Sequence, residues 1–245
     1  MRIPRIFTQA DLNESDTITL DAKAQKHLKD VLRMSVDNEV ILFNGDGHDY
    51  AGNIQELSKK TARVQIKSKT KVDNESPLSI HLLQPLARSE KMDWCLQKAT
   101  ELGVNKITPF ISTRVNTNIG ADRLEKKISH WQSVIQSACE QSGRAIVPVI
   151  EAPKKFNDVI SNLKTDAVKL IASPIETNTS IENTKTNAKE CICAIGPEGG
   201  FTDEEIKCAQ ASSFLPLHIG PRILRLETAV ISAMTLCQLR WGDFS

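Results

Sequence analysis

Two short apolar runs, residues 191–195 and 215–219, each end in a Gly-Pro turn, and each turn leads into the start of a helix. No other feature restricts the fold of this chain as much. Glycine permits positive φ and lets a ligand approach the backbone, and proline fixes the turn that follows. Two such turns on strands lying side by side would frame one ligand cleft at the carboxyl ends of a parallel sheet. Open α/β sheets bind small molecules there. The plainer reading of each is a tight turn that caps a strand.

The turns carry no nucleotide signature. Gly196-Pro197-Glu198-Gly199-Gly200 is not G-x-G-x-x-G, and no Gly-Lys-Ser/Thr follows it. An acid inside the turn, Glu198, opposes polyphosphate and favours a ligand with a cationic centre. The second turn continues into Arg222-Ile223-Leu224-Arg225-Leu226-Glu227-Thr228, which adds two cations and an acid at the start of a helix.

The chain before these turns alternates in the same way. Residues 79–84, 106–111, 146–150 and 167–172 read as strands. Helices are predicted over 91–102, with Met92, Cys95, Leu96, Ala99 and Leu102 inward and Gly103 just past the end, over 122–141, and over 155–163. In the second of these helices Leu124, Ile128, Trp131, Ile135 and Ala138 form a stripe that predicts burial. Thr202 with Glu205 makes a capping box for a helix over 203–211. A last helix over 226–240 carries Leu226, Val230, Ala233, Met234 and Cys237 on one face. Residues 177–189 form a polar loop, long for such a unit. Strands separated by helices imply an α/β parallel sheet covered on both sides.

Residues 1–72 read differently, as a small β-rich domain with one helix over 22–34, capped by Asp21 and burying Ala24, His27, Leu28, Val31 and Leu32. Strands are predicted over 40–44, 49–57 and 61–71. Six Lys or Arg and no acid lie between Lys59 and Lys71. Alternation puts Ala62, Val64 and Ile66 on one face and Arg63, Lys67, Lys69 and Lys71 on the other. Such a basic face is either merely solvated or a local phosphate-binding surface. Residues 67–77, polar and ending in proline, are the best linker, so 73–77 separates a domain at 1–72 from one at 78–245.

Composition mostly excludes. A formal charge of +1 over 245 residues is no global nucleic-acid signature. No apolar run approaches the roughly 20 residues of a membrane span. Six cysteines without paired spacing and no secretory segment imply a reduced, cytoplasmic protein. Cys191 and Cys193 fall on one face of an apolar strand and read as buried small hydrophobes. The five histidines lack ligand spacing, so no metal is expected.

Ile195-Gly-Pro-Glu-Gly-Gly-Phe201 followed by Gly220-Pro-Arg-Ile-Leu-Arg-Leu-Glu-Thr-Ala229 closely resembles the RsmE-type methyltransferases of the SPOUT superfamily. The runs from Lys91 to Val104 and from Glu140 to Arg144 resemble signatures of the same family. The start Arg2-Ile-Pro-Arg5-Ile-Phe7 and His27-Leu-Lys-Asp-Val-Leu-Arg33 resemble its amino-terminal PUA-like β-barrel, which helps grip RNA. The resemblance covers the whole chain. It implies a carboxyl-terminal trefoil knot, S-adenosylmethionine as cofactor, a homodimer, and methylation of N3 of a uridine in 16S ribosomal RNA of the small subunit. Where the family usually has threonine, this chain has Leu226.

On that basis the cofactor is expected at Ala172, Ser173 and Pro174, at Gly196, Pro197, Glu198, Gly199 and Gly200, and at Ile219, Gly220, Arg222 and Leu224, mainly through backbone groups. Gly199 and Gly220 would be glycine to leave it room. Arg225 is expected to stabilise the uracil anion, with Glu227 or Glu198 as base or orienting carboxylate. Arg225 with Glu227 would otherwise tie down the last helix, and Glu198 would otherwise cap a turn. RNA is expected at Arg2, Arg5, Lys26, Arg33, Arg63, Lys67 and Lys69. The stripe of the last helix is expected in a two-fold interface, with packing inside one chain as the alternative. Rival functions are a SPOUT methyltransferase for another RNA site and a non-catalytic RNA-binding assembly factor.

Overall fold

A computed structural model describes residues 3–114, 121–163, 166–172, 184 and 187–244. Ser173, Pro174, Arg2 and most of the polar loop at 177–189 lie outside the described residues. The chain forms two compact units, Met1–Glu75 with Gln136–Val147, and Ser76–Ile135 with Pro148–Ser245.

The first unit holds β1 (Arg5–Phe7), β2 (Thr17–Thr19), α1 (Ala22–Lys26), β3 (Glu39–Phe43), β4 (His48–Leu57) and β5 (Ala62–Lys71). They form a five-stranded sheet in the order β1-β3-β4-β5-β2 around a core that includes Leu28, Val40, Leu42, Ile54 and Val64. Asp21 caps α1 by accepting from the Ala24 N–H. The helix predicted to Met34 changes winding at His27, where His27–Val31 becomes a π turn and Leu32 N–H reaches back to the His27 carbonyl. The wider winding breaks the 3.6-residue stripe. Ala24 and Leu28 are buried as expected, but Val31 and Leu32 are exposed.

Residues 136–147 join this unit for reasons of side-chain chemistry that no spacing reveals. Arg5 Nη1 donates to the carbonyl of Cys139 at 2.8 Å, and the Phe7 N–H donates to Glu140 Oε1 at 3.0 Å. Asn74 donates to the Gly143 carbonyl, and Arg144 pairs with Glu75. β5 ends at Lys71, where its strand was expected to end, with Lys69, Thr70 and Lys71 paired to β4.

The second unit is an α/β layer structure. Its strands are β6 (Ser79–Pro85), β7 (Val104–Ile111), β8 (Val149–Ile150), β9 (Lys154–Lys155), β10 (Val168–Ala172), β11 (Glu190–Ile195) and β12 (Leu215–Leu217). The order is β12-β10-β11-β6-β7-β8, β9 also pairs with β7, and every pairing is parallel. The helices are α2 (Ser89–Glu101), α3 (Ala121–Ser142), which crosses the division between units, α4 (Phe156–Ser161), α5 (Asp203–Ala211) and α6 (Leu226–Trp241). Leu83, Phe110, Phe156, Ile171, Ile192 and Phe214 share one core on a face of the sheet.

The periodic helices behave as their patterns require. Met92, Cys95, Leu96 and Ala99 are buried, and Gly103 sits at φ +83 where α2 ends. Leu102 is only partly buried because it is already the C-cap of α2. In α3 Trp131, Ile135 and Ala138 are buried while Leu124 and Ile128 are half-buried. The strand expected at 146–150 shrinks to β8, with Ile146 exposed. The stripe of α6 is covered inside its own chain: Val230, Ala233, Met234 and Cys237 have no exposed surface and Leu226 has 5 %. That face is core, so it is not available as the two-fold interface expected of it. Cys191 and Cys193 are buried, and all six cysteines are free thiols.

Candidate active site

The two Gly-Pro turns come together, though their strands do not touch. β11 and β12 lie on either side of β10, each in parallel register with it. The expected side-by-side placement is therefore replaced by a three-strand edge whose middle member ends at Ala172. At the carboxyl ends of these strands lies a cavity of about 1090 Å³. Ala172, Gly196, Pro197, Glu198, Gly200, Ile219, Gly220, Arg222, Leu224 and Arg225 all line it. Gly199 and Glu227 do not.

Each glycine has its own reason. A Cβ on Gly196 would meet the Ala172 carbonyl oxygen and the Phe201 ring at 3.4 Å, tighter than most packed contacts. Gly200 has φ +71, and its N–H donates to the Pro197 carbonyl at 2.8 Å, closing the turn. Gly220 has φ +74, so backbone conformation excludes a side chain there before any ligand is considered. Gly199 faces Arg114, whose Cδ would stand at an ordinary 3.6 Å from an added Cβ. The sequence-based reason for Gly199, clearance for a ligand, does not apply to it.

The first turn is held from three sides. Phe201 stacks into the core 6.1 Å from Phe110 and 4.9 Å from Phe156. Arg114 donates to the Gly199 carbonyl. Lys91, on the first turns of α2, pairs with Glu198. Arg114 is itself placed by the capping box. Thr202 Oγ1 accepts from the Glu205 N–H at 3.2 Å, and Glu205 Oε2 accepts from the Thr202 N–H at 2.9 Å. The buried Glu205 carboxylate then reaches across to accept from Ser112 Oγ and from the Thr113 N–H. One carboxylate thus caps a helix and fixes the loop that carries Arg114.

Charge at the cavity is uneven. The hydrogen bond from Lys91 holds the Glu198 carboxyl below the usual range, and Arg88 and Arg225 push the same way. A carboxylate so stabilised is a poor proton acceptor. Arg225 is the N-cap residue of α6 and is exposed at the rim, and Arg222 is exposed beside it. Neither side chain has a hydrogen-bond or ion-pair partner among the described residues. Glu227 points elsewhere: its Oε2 is buried and accepts no hydrogen bond among the described residues. It lies close enough to Cys95 that, after burial, its charge is the next cause pushing that thiol up to about 12. Arg225 and Glu227 form no ion pair, which removes the expected helix tie.

Sequence reasoning missed Lys91, Phe201, Leu217, His218, Leu226 and Ala229 as lining residues. Phe201, His218 and Leu226 adjoin the two motifs and were within reach of that signal. Lys91 lies 107 positions from its partner, and no spacing marks it. Leu226, where a hydroxyl was expected, is 5 % exposed and gives the wall an apolar side chain.

The basic candidates of the first unit separate sharply. Arg5 is buried; its guanidinium donates to Asp49 and to the carbonyls of Cys139 and Arg144, and lies 4.5 Å over the Phe43 ring. With its donors spent inside the fold, it is a structural residue and not a phosphate contact. Lys26, Arg33, Arg63, Lys67 and Lys69 are exposed. The single basic face does not form, because β5 has a bulge: Ser68 pairs with Ala51, Ile66 pairs with Gly52, and Lys67 is skipped. An extra residue reverses the alternation beyond it. Lys69 therefore opposes buried Tyr50, 5.2 Å over its ring and 3.7 Å from Asp46 Oδ2, on the face opposite Arg63.

Comparison with known proteins gives a consistent neighbourhood. A family model described as an RNA methyltransferase domain matches residues 74–238, and one described as an RNA methyltransferase PUA domain matches residues 20–67. The chain is 37 % identical over 245 residues, all of it and 99 % of the relative, to "Ribosomal RNA small subunit methyltransferase E" of Buchnera aphidicola subsp. Schizaphis graminum. It is 33 % identical to the protein of that name from Mesomycoplasma hyopneumoniae, covering 86 % of this chain and 89 % of the other. Among solved structures it is similar to a ribosomal RNA small subunit methyltransferase E from Neisseria gonorrhoeae bound to S-adenosyl methionine. That match has a TM-score of 0.94 and 34 % identity over all of both chains. A Legionella pneumophila protein with bound cofactor SAM matches over all of both chains with a TM-score of 0.95 and 36 % identity.

Proposed function

This chain belongs to the RsmE-type RNA methyltransferases, and from that premise we propose that it transfers a methyl group from S-adenosylmethionine to N3 of a uridine in 16S ribosomal RNA of the small subunit. The observation that carries the reading is the cavity itself, in which both Gly-Pro turns present backbone to one space at the end of a parallel sheet.

The residues present fit the cofactor. Ala172, Gly196, Pro197, Gly200, Ile219, Gly220 and Leu224 offer backbone groups and apolar surface suited to an adenine and a ribose, and Arg222 lies beside them. No phosphate cradle is present in either motif, as suits a ligand without phosphate. When bound, S-adenosylmethionine supplies an electrophilic methyl on a sulfonium. The chain's own work is to hold the acceptor in line and to stabilise the charge left on uracil when its N3 proton departs. Arg225, a cation at the rim with no protein partner among the described residues, supports that second role. Glu198, kept ionised by Lys91, is an orienting carboxylate and not the base. For Glu227, outside the cavity lining, we retain only an orienting role at the start of α6.

Further parts of the reading follow the family. We propose a homodimer built on the other side of α6, where Ile231 and Leu236 are half-buried and Leu239 is 52 % exposed. The trefoil knot is proposed from family membership. The exposed Lys26, Arg33, Arg63 and Lys67 remain proposed phosphate contacts. No helix among the described residues is long and apolar enough to cross a membrane, and no His, Cys, Asp or Glu trio among them is gathered for a metal. The proposed substrate places the enzyme in the cytoplasm, at ribosomal subunits.

Tritium transfer from labelled S-adenosylmethionine to small subunits, with mass mapping of rRNA from a deletion strain, tests the assignment. Loss of one N3-methyluridine is expected. A methyl on another base or atom replaces the substrate assignment, and cofactor binding without transfer to any RNA returns the chain to an assembly role. Light scattering that reports a monomer at micromolar concentration removes the dimer.

A further inference from the structure

Ile223 is 94 % exposed, far more than any other large apolar side chain among the described residues; Val31 follows at 64 %. It does not stand on a frayed end. It is the tip of the loop that lines the cavity, between half-buried Ile219 and Leu224, with buried Leu226 beyond. Gly220 at φ +74 and the fixed ring of Pro221 set the shape of that loop. An isoleucine, stiff at χ1, is thus held out into solvent at the mouth of a cleft.

Its neighbours are cationic. Arg222 and Arg225 flank it, both exposed, and Arg88 is exposed close enough to Glu198 to depress that carboxyl. Glu198, the acid on this side of the cavity, is already paired with Lys91. An occupant with an apolar face and a polyanionic frame suits such a tip. A second copy of the chain is the other occupant, and the oligomeric state in the experiment below separates the two.

Resting on the function proposed above, we infer that Ile223 is a wedge for the RNA substrate. Its side chain fills the gap that opens in the base stack when the target nucleotide turns into the cleft, and Arg222 contacts a neighbouring phosphate. Chemistry on a base edge requires that the base leave its stack, and apolar side chains inserted between bases stabilise the opened state. Ile223 is a positioning residue in this scheme and takes no part in the transfer.

The experiment compares wild type with Ile223→Ala, Ile223→Leu and Arg222→Ala in single-turnover methylation of small ribosomal subunits. Calorimetry with S-adenosylmethionine and light scattering accompany it. Ile223→Ala is expected to lower kcat/KM for RNA at least tenfold, with cofactor affinity within twofold and assembly unchanged. Ile223→Leu should restore most of the activity, and Arg222→Ala should flatten the salt dependence of RNA binding. Ile223→Ala within twofold of an active wild type overturns the inference alone. A change of oligomeric state in Ile223→Ala assigns the tip to a contact between copies and also overturns it. A wild type that methylates no small-subunit RNA overturns the functional reading and takes the inference with it.

Discussion

The strands of the seven-stranded sheet and the cleft at their carboxyl ends use charge in opposite ways. On the strands Lys106, Lys154 and Lys169 are all engaged. Lys106 and Lys154 hold Glu151 at 2.6 and 3.1 Å, and Lys169 donates to the carbonyls of Leu163 and Ser212. His81 Nε2 lies 2.7 Å from Thr108 Oγ1, which donates to Glu151. At the carboxyl-terminal edge Arg222 and Arg225 stand open to solvent without a partner among the described residues. Committed charges specify a structure, whereas uncommitted ones at a cleft are left for a ligand. Arg5 of the first unit belongs with the committed group, despite its place in a family signature.

The sharpest way to break this contrast is Arg225→Ala. Losing a cation that stabilises developing charge should slow single-turnover methyl transfer about 10²- to 10³-fold, while calorimetry shows the cofactor still bound and the urea midpoint unchanged. A rate within a few-fold of wild type would move Arg225 out of the chemistry. Arg5→Ala should do the reverse. Removing one partner of a buried pair typically costs about 3 kcal/mol or more, read as a lower urea midpoint. Full stability with weakened RNA binding would return Arg5 to the phosphate contacts.

Acid should act on the committed charges. Burial, reinforced by Lys106, brings the His81 pKa down to about 4 from 6.5. Between those values the unfolded chain takes up a proton that the folded chain refuses, so stability falls as pH falls, by up to about 3 kcal/mol. Burial opposes ionisation of Glu151, but Lys106, Lys154 and Thr108 outweigh it and bring its pKa to about 2. Its share is therefore lost only below the ordinary 4.5. Urea midpoints of wild type and His81→Gln, compared from pH 7 to 4, check the sign; parallel curves would remove His81 as the cause. The smallest effect belongs to Lys91→Met. A half-exposed ion pair contributes no more than about 1 kcal/mol, so cofactor affinity should fall by up to about fivefold without loss of fold. A larger loss would mean that Lys91 itself touches the ligand.

Legibility followed the range of the interaction. The inward face of α2, the stripe of α6 and the Thr202–Glu205 capping box depend on neighbours three or four positions away, and all stand in the fold as their spacing predicts. The two Gly-Pro motifs were legible as turns, and Gly200 and Gly220 have the positive φ that explains them. The π turn after His27 and the bulge at Lys67 were not legible, because one residue of altered winding or register leaves no mark in a hydrophobic pattern. Glu198, Glu205 and Arg5 each have a partner between 92 and 139 positions away, beyond any local pattern.

By itself the sequence determined the alternation of strand and helix, the two turns that must be glycine and proline, and the family to which they belong. These depend on backbone conformation and short-range periodicity, which each residue carries with it. Only the tertiary structure decided that β10 separates the two motif strands, that Arg5 is spent inside the fold, and that Arg225 and Ile223 are left facing solvent at a cleft. A charge or an apolar surface acquires its role from what packs against it, and that partner is supplied by the folded chain.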